Sequence, residues 1–165
     1  MRLRLRRFTE LWFRMLSVSG LFVATLCAQP AVVVAHNAWI RLPAPMMRQA
    51  ALYMLLENRG SRPRAVVSAS SDTAQKIEMH EVKMIDAEFA VRPKSDLVTS
   101  HRMMVMTPVT RITIPGNGTA TLNPQGLHMM LFGLKTKLTP GQRVTVTLRL
   151  EDGTPVLVTA TVRNG

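Results

Sequence analysis

The chain has 165 residues, a net charge of +11 and a single cysteine, a length that fits one domain. No disulfide can form within it, and no segment beyond the first 35 residues is apolar and long enough to span a bilayer. Its basic residues form no long run and are barely interleaved with aromatics, which argues against nucleic-acid binding.

The N-terminus reads as a secretory signal. Arg2, Arg4, Arg6, Arg7 and Arg14 form a basic leader, and the apolar stretch from Met15 to Ala28 follows. Residues 1–35 form the predicted signal, with cleavage after Ala35 and a second option after Ala28. An uncleaved anchor is disfavoured because the apolar core is short and ends at Gln29-Pro30. Removing residues 1–35 lowers Lys+Arg from 21 to 16 and Asp+Glu from 10 to 9, so the mature charge is +7. That scattered charge suits docking to an acidic partner. Cys27 lies inside the signal, and Ala24-Thr25-Leu26 before it is a poor lipobox. The mature chain therefore has no thiol. Cysteine nucleophiles and thiolate metal ligands are excluded together, and a blue-copper electron carrier, which needs one cysteine ligand, is disfavoured.

Residues 36–165, the predicted mature domain, carry strand signals throughout. Gln49–Glu57 reads as a buried strand ending at the turn Asn58-Arg59-Gly60-Ser61. Ala65–Ala69 and Lys76–Val82 follow. Asp86–Ser100 is the least patterned segment and reads as a loop or an inserted β-excursion. Arg111–Ile114 enters the turn Pro115-Gly116-Asn117-Gly118, with Thr119–Leu122 returning as in a hairpin. Leu127–Phe132 is a further strand. Arg143–Leu150 alternates polar and apolar residues, and Glu151-Asp152-Gly153 turns the chain into Val156–Val162. Seven to nine short strands with regular turns predict an all-β antiparallel sandwich or barrel.

The chemistry concentrates in three runs. Leu127-His128-Met129-Met130 puts a histidine and a methionine two residues apart, on one face of a strand. His101-Arg102-Met103-Met104-Val105-Met106 adds thioethers, and Lys76-Ile77-Glu78-Met79-His80 adds another histidine. All four histidines and ten of the twelve methionines lie in the mature region. Neutral imidazole and soft thioether donors in a thiol-free chain point to Cu(I) rather than to Mg²⁺ or Ca²⁺. Methionine also fills gaps in cores. Met54 is assigned to the core on that ground, as are Met79 and Met129, which face away from their histidine neighbours. Met46 and Met47 follow Pro43-Ala44-Pro45 and read as surface residues.

These residues resemble the periplasmic copper chaperone family PCu(A)C. Its pattern is a histidine, a later methionine, twenty-one residues and His-x-Met. Here Met106 and His128 enclose the twenty-one residues 107–127, and Met130 completes His-x-Met. Ala38-Trp39-Ile40-Arg41, Ala50-Ala51-Leu52-Tyr53-Met54, Met130-Leu131-Phe132-Gly133-Leu134-Lys135 and Leu148-Arg149-Leu150-Glu151-Asp152-Gly153 extend the likeness over nearly all of residues 36–165. The resemblance implies a cupredoxin-like β-sandwich in the periplasm, with His80, Met106, His128 and Met130 as ligands for Cu(I). It implies delivery to the Cu(A) centre of cytochrome c oxidase, alone or with a Sco-type partner. One departure stands out. Residues 81–105 span twenty-five positions against ten or so in the family, an insertion within Asp86–His101 that a loop absorbs at little thermodynamic cost. Met84, Met104 and His101 are the alternative donors along this longer connection.

Two other classes compete. One is an exported interaction module whose methionines are merely core. The other is an enzyme, which the sequence disfavours: no nucleophile–His–acid set, HExxH or Gly-rich phosphate loop occurs, and acidic residues are sparse.

Overall fold

The computed structural model describes residues 32–88 and 100–164. Residues 1–31 of the predicted signal, with Cys27 and the alternative cleavage position after Ala28, lie outside the described residues, as does the central part of the predicted 86–101 insertion.

Ten strands form, and among the described residues there is no helix. They are β1 (Val33–Arg41), β2 (Gln49–Asn58), β3 (Arg64–Ser70), β4 (Lys76–Glu88), β5 (Ser100–Val109), β6 (Ile112–Ile114), β7 (Gly118–Leu122), β8 (Leu127–Phe132), β9 (Arg143–Leu150) and β10 (Pro155–Arg163). The hydrogen-bonded order is β5-β4-β8-β2-β1-β10-β9-β3-β6, with β7 also paired to β2. The path folds over on itself, bringing β3 against β4 and β6 against β7. Alternation drives this. In β9, Val144, Val146, Leu148 and Leu150 point inward, while Arg143, Thr145 and Arg149 are exposed. The core between the layers joins Leu52, Leu56 and Met54 of β2 to Met129, Leu131, Val66, Ile112 and Leu148. Each such buried side chain contributes roughly 1.5–3 kcal/mol relative to exposure.

The expectation of a purely antiparallel sandwich needs two corrections. First, β1 and β10 pair in parallel, Trp39 opposite Thr161, so the sheet is mixed. Strand β1 can serve both layers because it is bulged: its register against β2 shifts between His36 and Trp39, with Asn37 at φ 52°. Second, the Pro115–Gly118 turn does not close a hairpin. Strand β6 pairs with β3 and β7 with β2, so the turn is an arch between layers. The three residues of β6 find their partners across the fold rather than along the chain.

The arch is pinned by one buried polar side chain. Asn58 Nδ2 donates to the carbonyls of Arg62 (2.9 Å), Ile114 (3.3 Å) and Pro115 (3.1 Å), and its Oδ1 accepts from the Gly60 N–H at 3.0 Å. Asn117 N–H donates to the Gly60 carbonyl at 2.8 Å. Gly116 must be glycine here, because a Cβ would overlap the Ser61 carbonyl. At the start of β3, next to the arch, Arg64 is ion-paired to Asp152 and lies 3.5 Å from Glu151. The Thr154 backbone N–H and the Arg64 guanidinium hold the Asp152 carboxyl down at about 2.

The predicted insertion is a continuation of a strand pair. Strands β4 and β5 pair in unbroken register from Met79 opposite Val109 to Glu88 opposite Ser100. The ribbon carries the ends of the excursion without displacing Lys76–Val82.

Candidate metal centre on the outer face

Strand β8 runs between β2 and β4. Against β4, His128 lies opposite His80, Met129 opposite Met79 and Met130 opposite Glu78. Directly opposed residues share a face. Met79 and Met129 therefore point together into the core, Met129 being 0% exposed. His80, His128, Glu78 and Met130 take the outer face. On β5, Pro108 opposes His80 and Met106 opposes Val82, so Met106 is diagonal to His80 on the same face. All four sequence-predicted residues, His80, Met106, His128 and Met130, thus lie on one face of three adjacent strands, with His80 opposite His128, Met106 diagonal to His80, and Met130 two residues along from His128, at the far end from Met106.

A step in the chain positions His128. The edge of β2 is shared: its first half pairs with β8 and its second half with β7. The step between them is the turn at Asn123–Gly126, closed by Asn123 N–H to the Leu127 carbonyl at 2.8 Å and Gln125 N–H to Asn123 Oδ1 at 2.9 Å. The Gly126 carbonyl accepts from Val82 N–H at 3.1 Å and from His128 Nδ1 at 3.0 Å. A carbonyl only accepts, so the His128 proton resides on Nδ1 and the Nε2 lone pair is free to ligate.

His80 is arranged the other way round. Its Nε2 donates to Glu78 Oε2 at 3.0 Å. Its Nδ1 is buried and has no hydrogen-bond partner. A buried, unpaired ring nitrogen costs stability unless something else engages it. Glu78 stays ionised to accept this bond, because Lys76 and then His80 lower its carboxyl from the ordinary range. The two imidazole rings stand 5.8 Å apart between centroids, tilted by 42°. Each has its second nitrogen tied to an oxygen, an arrangement typical of metal-ligating histidines.

An aromatic wall screens this pair. Tyr53 lies 6.3 Å from the His128 ring and 4.6 Å from Trp39, and Phe132 lies 6.2 Å from His80. The Arg41 guanidinium sits 5.9 Å above Tyr53. His128 is consequently only 3% exposed, while Met106 is 60% exposed. The centre is buried at its histidine end and open at its β5 end. Among the described residues no group of three or more His, Cys, Asp or Glu is placed to hold a metal. A metal on this face would therefore have to use the thioethers.

Sequence reasoning did not single out Glu78, Gly126, Tyr53 or Phe132. Two-residue alternation could have paired Glu78 with His80 and Phe132 with Met130, but Tyr53 reaches His128 only through the β2–β8 register. Met54 is buried in the core, and Met46 and Met47 are exposed, all as expected. His101 falls on β5 opposite Ala87.

Comparison with known proteins agrees with this architecture. A copper-bound PCuAC domain from PmoF2 superimposes with a TM-score of 0.62 over 82% of this chain and 95% of that one, at 20% identity. At that identity it speaks to the fold alone. The solution structure of CuI-DR1885 from Deinococcus radiodurans is 32% identical, with a TM-score of 0.59 over 86% of this chain and 84% of that one. The "Putative lipoprotein Lxx21020" of Leifsonia xyli subsp. xyli is 33% identical over 129 residues, 78% of this chain and 68% of its own length. The family model "Putative lipoprotein LpqE-like" matches residues 33–162. The chain belongs to this LpqE-like family, the PCu(A)C group that its His-x-Met spacing resembles.

Proposed function

We propose that this protein is an exported, non-catalytic Cu(I) metallochaperone whose ligands are His80, Met106, His128 and Met130. The observation that carries the reading is the pair of oriented imidazoles beside two thioethers on one outer face. Two neutral nitrogens and two neutral sulfurs suit a soft monovalent ion. The nearest carboxylate, Glu78, is already occupied by Lys76 and His80. The copper named in the descriptions of the PmoF2 domain and DR1885 supports the same cargo.

Handover is ligand exchange without electron transfer. A donor atom of the acceptor replaces the exposed Met106 thioether while buried His128 keeps hold, and the metal stays Cu(I) throughout. The acceptor we propose is the Cu(A) centre of cytochrome c oxidase, reached directly or with a Sco-type partner, and the compartment is the periplasm. The lipoprotein descriptions of the relatives support export. We read the two-layered sheet as cupredoxin-like. Of the two signal cleavage positions, the one after Ala28 leaves β1 whole, whereas cleavage after Ala35 would remove Val33 from the core.

A plain interaction module with a methionine-rich core explains Met54, Met79 and Met129. It gives no role to Met106, which is exposed, or to the unpartnered Nδ1 of His80. Competition with a Cu(I) chelator tests the choice. The protein should take up one tightly held Cu(I) with little visible absorption. Failure to compete would remove the reading, and an intense blue band with Cu(II) would indicate an electron carrier instead.

A further inference from the structure

Three exposed thioethers extend the outer face beyond the His–Met centre. Met84, Met104 and Met106 are 58%, 70% and 60% exposed. None packs into the core, so gap filling does not explain them. Met84 lies directly opposite Met104, and Met106 opposes Val82 one pair along, so all three share a face of the β4–β5 ribbon. Opposed Cβ atoms in such a pair stand about 4.5–5.5 Å apart and diagonal ones about 7–8 Å, within reach of long side chains. Methionine has three rotatable bonds, so three sulfurs at these stations can converge on one ion. The neighbouring ion pair, Lys83 with Glu81 at 3.1 Å, belongs to residues on the other face of β4. On this face the thioethers run from Met106 to the Met84–Met104 pair, and the next pair along the ribbon is Asp86 opposite Arg102.

Met106 occupies the junction. It is diagonal to His80 on one side and to Met84 on the other. We propose that Met84, Met104 and Met106 form a second, weaker, sulfur-only site for Cu(I), and that the ion passes between it and the His–Met centre through the shared Met106. Passage is ligand exchange at constant oxidation state. The Met84 and Met104 thioethers leave as His80, His128 and Met130 engage, or the reverse on unloading. The passage step rests on the His–Met reading, but the second site does not. Its strand pair lies within the lengthened 81–105 connection, so that extra length supplies a donor-bearing ribbon.

The test is titration of the protein with chelator-buffered Cu(I), with X-ray absorption at each equivalent. Wild type should bind one tight and one weaker equivalent. Met84→Leu with Met104→Leu keeps two exposed apolar side chains of similar size. It should leave the tight affinity within about twofold and weaken the second equivalent by at least about 10-fold. His128→Ala with Met130→Ala should lose the tight equivalent and keep the weaker one, with sulfur neighbours only. Uptake of a single equivalent by wild type, or an unchanged second equivalent in Met84→Leu/Met104→Leu, overturns the second site. A tight equivalent that survives in His128→Ala/Met130→Ala overturns the His–Met assignment instead and leaves the hairpin methionines to be judged by their own variant.

Discussion

Replacing His128 and Met130 together by alanine should reduce Cu(I) affinity at the tight site by more than about 100-fold, since loss of a mere outer-shell partner commonly costs 10–100-fold. In the proposed site His128 would supply a nitrogen whose orientation is set by the Gly126 carbonyl, and Met130 the sulfur two residues along the same strand. The Gly126 carbonyl keeps Val82 N–H as a donor when the imidazole is gone, so β4 and β8 retain a link at this point. The control lies on the other face. Met79→Leu with Met129→Leu removes two sulfurs from the same pair of strands, but both face the core. That variant should bind Cu(I) like wild type. Chelator competition on both variants separates thioethers that ligate from thioethers that pack.

Asn58→Leu should destabilise the fold by about 3 kcal/mol, because leaving buried polar partners unpaired costs roughly 1–3 kcal/mol each. The side chain is 1% exposed and holds three carbonyls from two loops, Ile114's in the buried interior. Leucine has the same branched side-chain skeleton but is bulkier, and it offers no donor. The arch joining β6 to β7 loses its tie to β2 and β3, yet the His–Met centre lies at the opposite half of β2, beside β8. Thermal or denaturant unfolding should register the loss, and Cu(I) affinity of the folded variant should not change. A variant as stable as wild type would show that the asparagine network is dispensable.

His128, Met130 and Asn58 mark what the sequence does and does not disclose. His128 and Met130 were legible because a strand has a period of two, so one strand is enough to place both on a face. Strand boundaries from β7 to β10 were close for the same reason, since β9 and β10 alternate cleanly and are bounded by turn residues. Asn58 looked like an ordinary turn residue, because its partners lie up to fifty-seven positions away. From sequence the arch reads as a hairpin, because Pro-Gly-Asn-Gly signals reversal but not which strand the returning segment joins. The parallel β1–β10 pairing and the bulge at Asn37 are long-range consequences of closing the sheet, with no local pattern to announce them. Tyr53 joins the centre through the β2–β8 register, which sequence spacing does not encode. Asp86–Ser100 reads from sequence as a loop or an inserted β-excursion because Arg92, Pro93, Lys94 and Asp96 obscure alternation, whereas the β4–β5 register runs out to Glu88 opposite Ser100.

The electrostatics of the centre follow the same logic. Lys76 and His80 occupy the Glu78 carboxylate, so it orients an imidazole and adds no competing anionic ligand. Monovalent, soft ions are then favoured over hard divalent ones, which seek several charged oxygens.

X-ray absorption at the copper edge, on protein carrying a single equivalent of Cu(I), tests the central claim most directly. The arrangement of His80, Met106, His128 and Met130 predicts both nitrogen and sulfur in the first coordination sphere, with two neighbours of each kind. A sphere of nitrogen and oxygen alone, with no sulfur, would contradict it.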